Sequence, residues 1–227
     1  MTTFMKTMLA TTALFALVAA GASQAQAFTV TVGGSPAGDG SGLTTSVGGT
    51  TVIDFNSFAA PLSGNFSSNG VNFSGAGQVV IGSSSGQNAA PFGDVTNYLI
   101  AGGPATFTGT ETMAITGPSS DYFGLYWGSM DSYNVLTFLS GGVTVATITG
   151  TDVAAGNDAN GNQIGLNTNN YVNIFNLPQY DTVLLASSQP NFEVDNIAFG
   201  SVPEPGTLAL LGMGLLGLGA LRRKRNA

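Results

Sequence analysis

Acidic residues interrupt two otherwise apolar runs in this 227-residue chain. Asp54 ends one such run early in the chain, and Glu193 and Asp195 lie two residues apart in another run near its end. In a β-strand, residues at that spacing share one face. A carboxylate held beside a hydrophobic core is costly unless it has a partner. The sequence therefore raises the question of what balances these acids.

No cationic side chain is available for that purpose. All five Lys and Arg residues lie outside residues 28–201, and every acid of the chain except Glu204 lies inside that range. Ca²⁺ takes oxygen ligands, so a structural calcium site formed by Asp54, Glu193 and Asp195 is predicted. A second interpretation stays open, in which these acids sit at strand ends and are solvated or capped by backbone N–H groups.

The placement of these acids on an early strand and on the last strand has a parallel. It is similar to that in jelly-roll carbohydrate-binding modules, in which an early strand and the last strand often hold a structural calcium together. The resemblance implies a calcium ion as the cofactor.

The charge pattern also excludes several functions. A body without Lys or Arg cannot neutralise phosphates, so it is not expected to bind nucleic acid. The chain has no His and no Cys, which removes the usual base and the thiol nucleophile of hydrolases. A carboxylate pair, Glu193 with Asp195 or with Asp131, is the best available basis for glycosidase chemistry. We expect the protein not to be an enzyme.

The segment 122–128 alternates apolar residues with tyrosine and glycine. Period-two alternation predicts a strand with one face in the core and with Tyr122 and Tyr126 on the other face. Two tyrosines over glycines can form a shallow surface that stacks a sugar ring. An ordinary half-exposed strand is the alternative.

The range 28–201 is predicted to be an antiparallel β-sandwich of the jelly-roll type. Short β-branched and aromatic runs alternate there with Gly, Ser, Asn and Pro, and no segment has a helical pattern. A hairpin is predicted around the glycines at 141 and 142. The predicted strands are 28–32, 50–55, 71–73, 79–81, 98–100, 112–115, 122–127, 135–139, 143–148, 171–175, 182–185 and 192–199.

Residues 1–27 have the organisation of a signal peptide. Lys6 supplies the positive start, residues 8–20 are apolar, and residues 25–27 form an A-x-A cleavage site. The apolar run is shorter than the roughly 20 residues that a membrane-spanning helix needs. Export through the Sec machinery and removal by signal peptidase are therefore predicted.

Residues 202–227 form a second targeting segment with three parts. Pro203, Glu204 and Pro205 come first, followed by an apolar run at 207–221 that is predicted to be a short membrane helix. A basic cluster ends the segment and is expected to stay in the cytoplasm by the positive-inside rule. The cluster consists of Arg222, Arg223, Lys224 and Arg225.

This order of motif, apolar run and basic cluster strongly resembles the PEP-CTERM sorting signal of Gram-negative bacteria. Segments 122–134 and 192–197 also look like blocks of one subfamily of exosortase-dependent surface proteins, which has no assigned activity. The resemblance implies an exosortase as partner, an inner-membrane intermediate, and a final place at the cell surface or in the extracellular matrix. An ordinary C-terminal membrane anchor is the alternative.

Taken together, these patterns predict an exported protein with a structural or interaction role in the exopolysaccharide or biofilm matrix. A lectin-like carbohydrate-binding module is the alternative function, and a glycoside hydrolase is a more distant one. Exopolysaccharide is the partner expected beyond the export and sorting machinery.

Overall fold

The computed structural model describes residues 27–102, 110–154 and 158–201. Strand accounts for 55% and helix for 2% of the structure, and the antiparallel sheets form a sandwich without a closed barrel. The predicted all-β antiparallel sandwich is therefore confirmed. The predicted signal peptide and C-terminal membrane helix lie outside the described residues.

Sixteen strands and one short helix, α1 (Gly150–Val153), make up the described part of the chain. The strands are β1 (Thr29–Val32), β2 (Ser35–Pro36), β3 (Leu43–Thr44), β4 (Thr51–Ile53), β5 (Leu62–Ser63), β6 (Phe66–Ser68), β7 (Val71–Gly75), β8 (Gly77–Ile81), β9 (Asn97–Ala101), β10 (Glu111–Ser120), β11 (Tyr122–Gly128), β12 (Asn134–Ser140), β13 (Val143–Thr149), β14 (Asn170–Phe175), β15 (Tyr180–Ser187) and β16 (Phe192–Gly200).

Two large sheets form the sandwich. One has eight strands in the order β1-β14-β11-β16-β9-β8-β5, with β4 also paired to β16, and the other has six in the order β13-β12-β15-β10-β7-β6. Strand β16 lies in the middle of the larger sheet, where it pairs with β11 on one side and with β9 and β4 on the other. The last strand of the described residues is therefore a central one.

Aromatic rings fill the space between the two sheets. Phe123 of the larger sheet packs edge-on against Phe138 of the smaller sheet, with ring centroids 5.4 Å apart. Trp127 stacks on Phe192 of the neighbouring strand β16 at 4.6 Å. The predicted alternation in β11 is thus confirmed, since Phe123, Leu125 and Trp127 all belong to this core.

The outer face of the larger sheet is covered rather than open. Tyr122 and Tyr126 are 0% and 2% exposed, and they form a second apolar cluster with Tyr171 and Ala198, against which Leu43 packs. The predicted sugar-stacking surface at Tyr122 and Tyr126 is therefore wrong in this structure. The chain that carries the small β2–β3 sheet covers both rings, and sequence periodicity gives no sign of such a third layer.

A β-bulge in β16 shapes this outer face. The register to β11 shifts between the pairs Gly124–Ala198 and Tyr126–Asp195, and Asn196 has a positive φ of 47°. A bulge adds one residue to a strand and bends it. The extra residue turns Asn196 away from the core, where its amide donates to Ser41 and to the Leu43 carbonyl.

The covering chain approaches the sheet closely at Gly42, which has a φ of +76°. A Cβ added at Gly42 would overlap the ring of Tyr126. Gly49 has a similar φ of +79°, but a Cβ added there meets nothing within 4 Å. Substitution of Gly49 therefore introduces backbone strain alone, whereas substitution of Gly42 also introduces steric overlap with Tyr126.

Gly42→Ala is expected to destabilise the protein more than Gly49→Ala does. Both variants force alanine into the left-handed region, at about 1–2 kcal/mol. Gly42→Ala adds overpacking against Tyr126, which costs about 1–3 kcal/mol more. Urea unfolding of the full chain in mild detergent, followed by the fluorescence of Trp127, measures both losses. Equal losses in the two variants would show that the covering chain does not pack on Tyr126.

Candidate functional site

Two acidic side chains of β16 project from the outer face of the larger sheet and are fully covered there. Glu193 is 3% exposed and Asp195 is 0% exposed. The strand spacing places both on one face, as the sequence predicts. They nevertheless face different surroundings, because Glu193 contacts Ala89 and Ser129, whereas Asp195 lies beside Asp94.

Glu193 lies at the end of a polar cavity. Its Oε1 accepts a hydrogen bond from the backbone N–H of Ala89 (3.2 Å), and its Oε2 accepts one from the Ser129 hydroxyl (3.0 Å). Burial raises the pKa of the Glu193 carboxyl to about 8; the two hydrogen bonds oppose this shift, and the charge of Asp131 adds to it. The acid is therefore largely protonated at neutral pH.

The cavity has a volume of about 340 Å³, within the usual range for small-molecule sites. Its walls carry amides, hydroxyls and carboxyls, and they include Gln87, Asn88, Asp131, Tyr133 and Asn160 beside Glu193. Such a lining offers both hydrogen-bond donors and acceptors.

Asp131 is the second acid of this cavity. Its Oδ2 accepts a hydrogen bond from the Tyr133 hydroxyl at 2.6 Å, and burial raises the pKa of its carboxyl. The structure thus brings Glu193 and Asp131 to one cavity, which is one of the two carboxylate pairs that the sequence indicates for glycosidase chemistry.

Asp195 pairs with a different acid, Asp94 of the loop before β9. Oδ1 of Asp195 accepts from the Asn196 N–H (2.6 Å), and Oδ1 of Asp94 accepts from the N–H and hydroxyl of Thr96 (both 2.8 Å). Burial raises the pKa of both carboxyls. The negative charges of Asp94 and Asp54 raise the pKa of the Asp195 carboxyl further.

The three predicted calcium ligands are thus only partly brought together. Asp54 lies near enough to Asp195 for its charge to raise the pKa of that carboxyl, whereas Glu193 contacts Ala89 and Ser129 in the cavity. Across the described ranges, no three His, Cys, Asp or Glu side chains are grouped so as to hold a metal ion. Nothing in the sequence marks Asp94 as a site residue, because an acid in a Gly- and Pro-containing loop has the pattern of an ordinary turn.

The predicted sorting residues lie outside the described part of the chain. Within that part, no helix has the length and apolar character needed to cross a membrane. The family model described as the PEP-CTERM protein-sorting motif matches residues 201–225. This range contains Pro203, Glu204 and Pro205 together with the basic cluster at 222–225. A search of the curated proteins found no match.

The fold and the motif together define a class of protein. It is an exported β-sandwich whose last strand leads directly into a sorting signal, since β16 ends at Gly200 and the matched range begins at residue 201. The chain carries the PEP-CTERM signal and is an exosortase-targeted surface protein that passes through a membrane-anchored intermediate. The predicted recognition of this signal is confirmed.

The buried Glu193 predicts a fall in stability as the pH rises. Its folded-state pKa of about 8 lies above the ordinary value of 4.5, so between these values the folded chain holds a proton that the unfolded chain lacks. The free energy of unfolding therefore decreases with rising pH across this window. In Glu193→Gln the free energy of unfolding is expected to fall less over this window, by on the order of a few kcal/mol.

Urea unfolding of the full chain at pH values from 5 to 8, in mild detergent, measures this difference. Asp181→Asn is the matched control, because the pKa of the Asp181 carboxyl is lowered by hydrogen bonds from Gly141 and Thr182. The Asp181 carboxylate therefore contributes stability that is lost only at pH values below this window. A Glu193→Gln profile parallel to the parent profile would show that Glu193 is charged in the folded state.

Proposed function

We propose that the mature protein is a structural or interaction component of the extracellular matrix at the cell surface, without enzymatic activity. The observation that carries the proposal is the sorting motif that follows β16 immediately. An exosortase substrate of this form is a folded sandwich delivered to the surface by its tail. Its residues 28–201 contain no Lys or Arg, so the body suits neutral or cation-bridged partners rather than anionic ones.

Two loops at one end of the sandwich support an interaction role. Phe92 and Val95 on one loop, and Ile164 and Leu166 on the other, are exposed large apolar residues. The loops are joined through Asn169, whose side-chain oxygen accepts from the Phe92 N–H at 3.1 Å. Exposed apolar side chains on neighbouring loops are typical of protein contact sites.

Glycan binding is the second candidate function, and the polar cavity favours it. Sugar hydroxyl groups both donate and accept hydrogen bonds, and the cavity walls offer amides, hydroxyls and the acids Glu193 and Asp131. Tyr133 supplies the aromatic ring of the cavity, in place of the buried Tyr122 and Tyr126. The exopolysaccharide of the producing cells is the proposed ligand.

The sorting role is tested by replacing Pro203, Glu204 and Pro205 with alanine in the full chain. Export should continue, while the unprocessed form accumulates in the inner membrane, because the exosortase no longer recognises the tail. Membrane fractionation and the intact mass of the product measure this, with Thr207→Ala as a nearby control and cells lacking the exosortase as reference. A variant of normal surface amount and mature mass would overturn the assignment.

The glycan role is tested with Asp131→Asn and Asn160→Ala. Asp131→Asn replaces a carboxyl of the cavity by a neutral amide, and Asn160→Ala removes an amide. Each should weaken binding to purified exopolysaccharide by about tenfold, or roughly 1.4 kcal/mol. Affinity electrophoresis of the full chain measures the binding, and Asp181→Asn, which lies on the opposite sheet, should bind like the parent. If all variants bound the exopolysaccharide as tightly as the parent, the glycan would bind outside the cavity.

The same samples separate binding from hydrolysis. New reducing ends in the exopolysaccharide, lost in Glu193→Gln, would identify a glycoside hydrolase and contradict the non-enzymatic proposal. Absence of both binding and cleavage would remove the glycan role and leave the structural role standing.

A further inference from the structure

The strongest unexplained feature of the molecule is the buried carboxyl pair Asp94–Asp195. Asp94 is 6% exposed and Asp195 is 0% exposed. The two acids adjoin the same residue of the covering chain, since the side-chain amide of Asn196, next to Asp195, donates to the carbonyl and hydroxyl oxygens of Ser41. Asp195 is held by the bulge of β16, and Asp94 is held by an isolated backbone bridge to Ser41 of the covering chain.

One oxygen of each group has no partner. Oδ2 of Asp94 and Oδ2 of Asp195 are buried and make no hydrogen bond, whereas each Oδ1 accepts from a neighbouring N–H. Two carboxylates cannot both stay ionised side by side out of water without compensation. A positive charge must therefore reach the two free oxygens.

The surroundings supply further negative charge and no positive side chain. The negative charge of Asp39 acts on Asp94, and that of Asp54 acts on Asp195. Residues 28–201 contain neither Lys nor Arg. A single proton shared by the pair would leave three negative charges among these four acids. A divalent cation would balance the pair completely.

We propose that Asp94 and Asp195 bind one Ca²⁺ between their free Oδ2 atoms. The two carboxylates supply part of the coordination, and water and neutral oxygens would complete the six to eight ligands that Ca²⁺ takes. The Tyr126 hydroxyl is one neutral oxygen nearby, since Tyr126 is paired with Asp195 across the strands and its hydroxyl donates to the carbonyl of Phe92, two residues before Asp94. Asp39 and Asp54 raise the affinity through their charge rather than by direct contact.

This site differs from the one that the sequence predicts. Asp94 replaces Glu193, which the hydrogen bonds from Ala89 and Ser129 hold in the cavity. The bound ion would fasten the loop before β9 to the central strand of the larger sheet. The inference does not depend on the proposed matrix or glycan role.

Calcium titration of the full chain in mild detergent tests the site. Isothermal titration calorimetry should show one Ca²⁺ per chain, and Asp94→Asn and Asp195→Asn should each weaken binding by about tenfold or more, because each removes a charged ligand. Asp181→Asn, which removes one carboxylate of the opposite sheet, should bind like the parent. Binding that survives both site variants would overturn the proposal.

Thermal melts of the unmodified chain give a second readout that does not require the variants to fold. Millimolar Ca²⁺ should raise the melting temperature more than Mg²⁺, which demands stricter geometry, and more than NaCl at matched ionic strength. An equal rise in all three salts would indicate charge screening alone and would overturn the proposal. The proposal would also be overturned if Ca²⁺ left the melting temperature unchanged and Asp195→Asn raised it at neutral pH. That result would identify a proton shared by the two acids.

Discussion

The structure depends on one constraint: the body must bury acids without a basic side chain to pair with them. Between residues 28 and 201 the chain has neither Lys nor Arg, and the whole sequence has no His. Buried carboxyls are therefore stabilised by hydrogen bonds, by protonation or by a bound ion. Glu193 takes the first two routes, with two donors and a raised pKa, and the Asp94–Asp195 pair has one unsatisfied oxygen on each carboxyl.

The bulge in β16 connects this constraint to the fold. Because one residue is added to the strand, Asp195 and Asn196 both turn outward, and Ile197 returns to the core. Asn196 then holds the covering chain through Ser41 and Leu43, while Asp195 meets Asp94. One irregularity in a central strand thus fixes the covering layer and turns Asp195 toward the loop that carries Asp94.

Much of the fold could be predicted from the sequence, because alternation and turn residues act locally. All the strands predicted by these signals overlap observed ones, and the hairpin of β12 and β13 turns at Gly141 and Gly142 as expected. The strands that the prediction lacks are β2, β3, β5 and β6, which have two or three residues each and lie in Gly- and Ser-rich segments. Runs that short carry no periodicity.

The site was harder to predict, because it depends on contacts between distant parts of the chain. Nothing near Asp94 in sequence indicates that it meets Asp195, and period-two alternation cannot foresee a bulge. The alternation predicts the correct face for Tyr122 and Tyr126, but that face is buried by a segment some 80 residues earlier in the chain. Local patterns give the direction of a side chain and leave its neighbours undetermined.

The position of β16 also determines how the protein carries mechanical load. While the tail is held in the membrane, any drag on the body is transmitted through the strand that directly precedes the sorting motif. An edge strand pulled along its axis would have to shear only one ladder of hydrogen bonds. Strand β16 is flanked on both sides, by β11 and by β9 and β4, so tension along it must shear two ladders together. The sandwich is thus tethered through one of its most strongly braced strands, which favours slow unfolding under force.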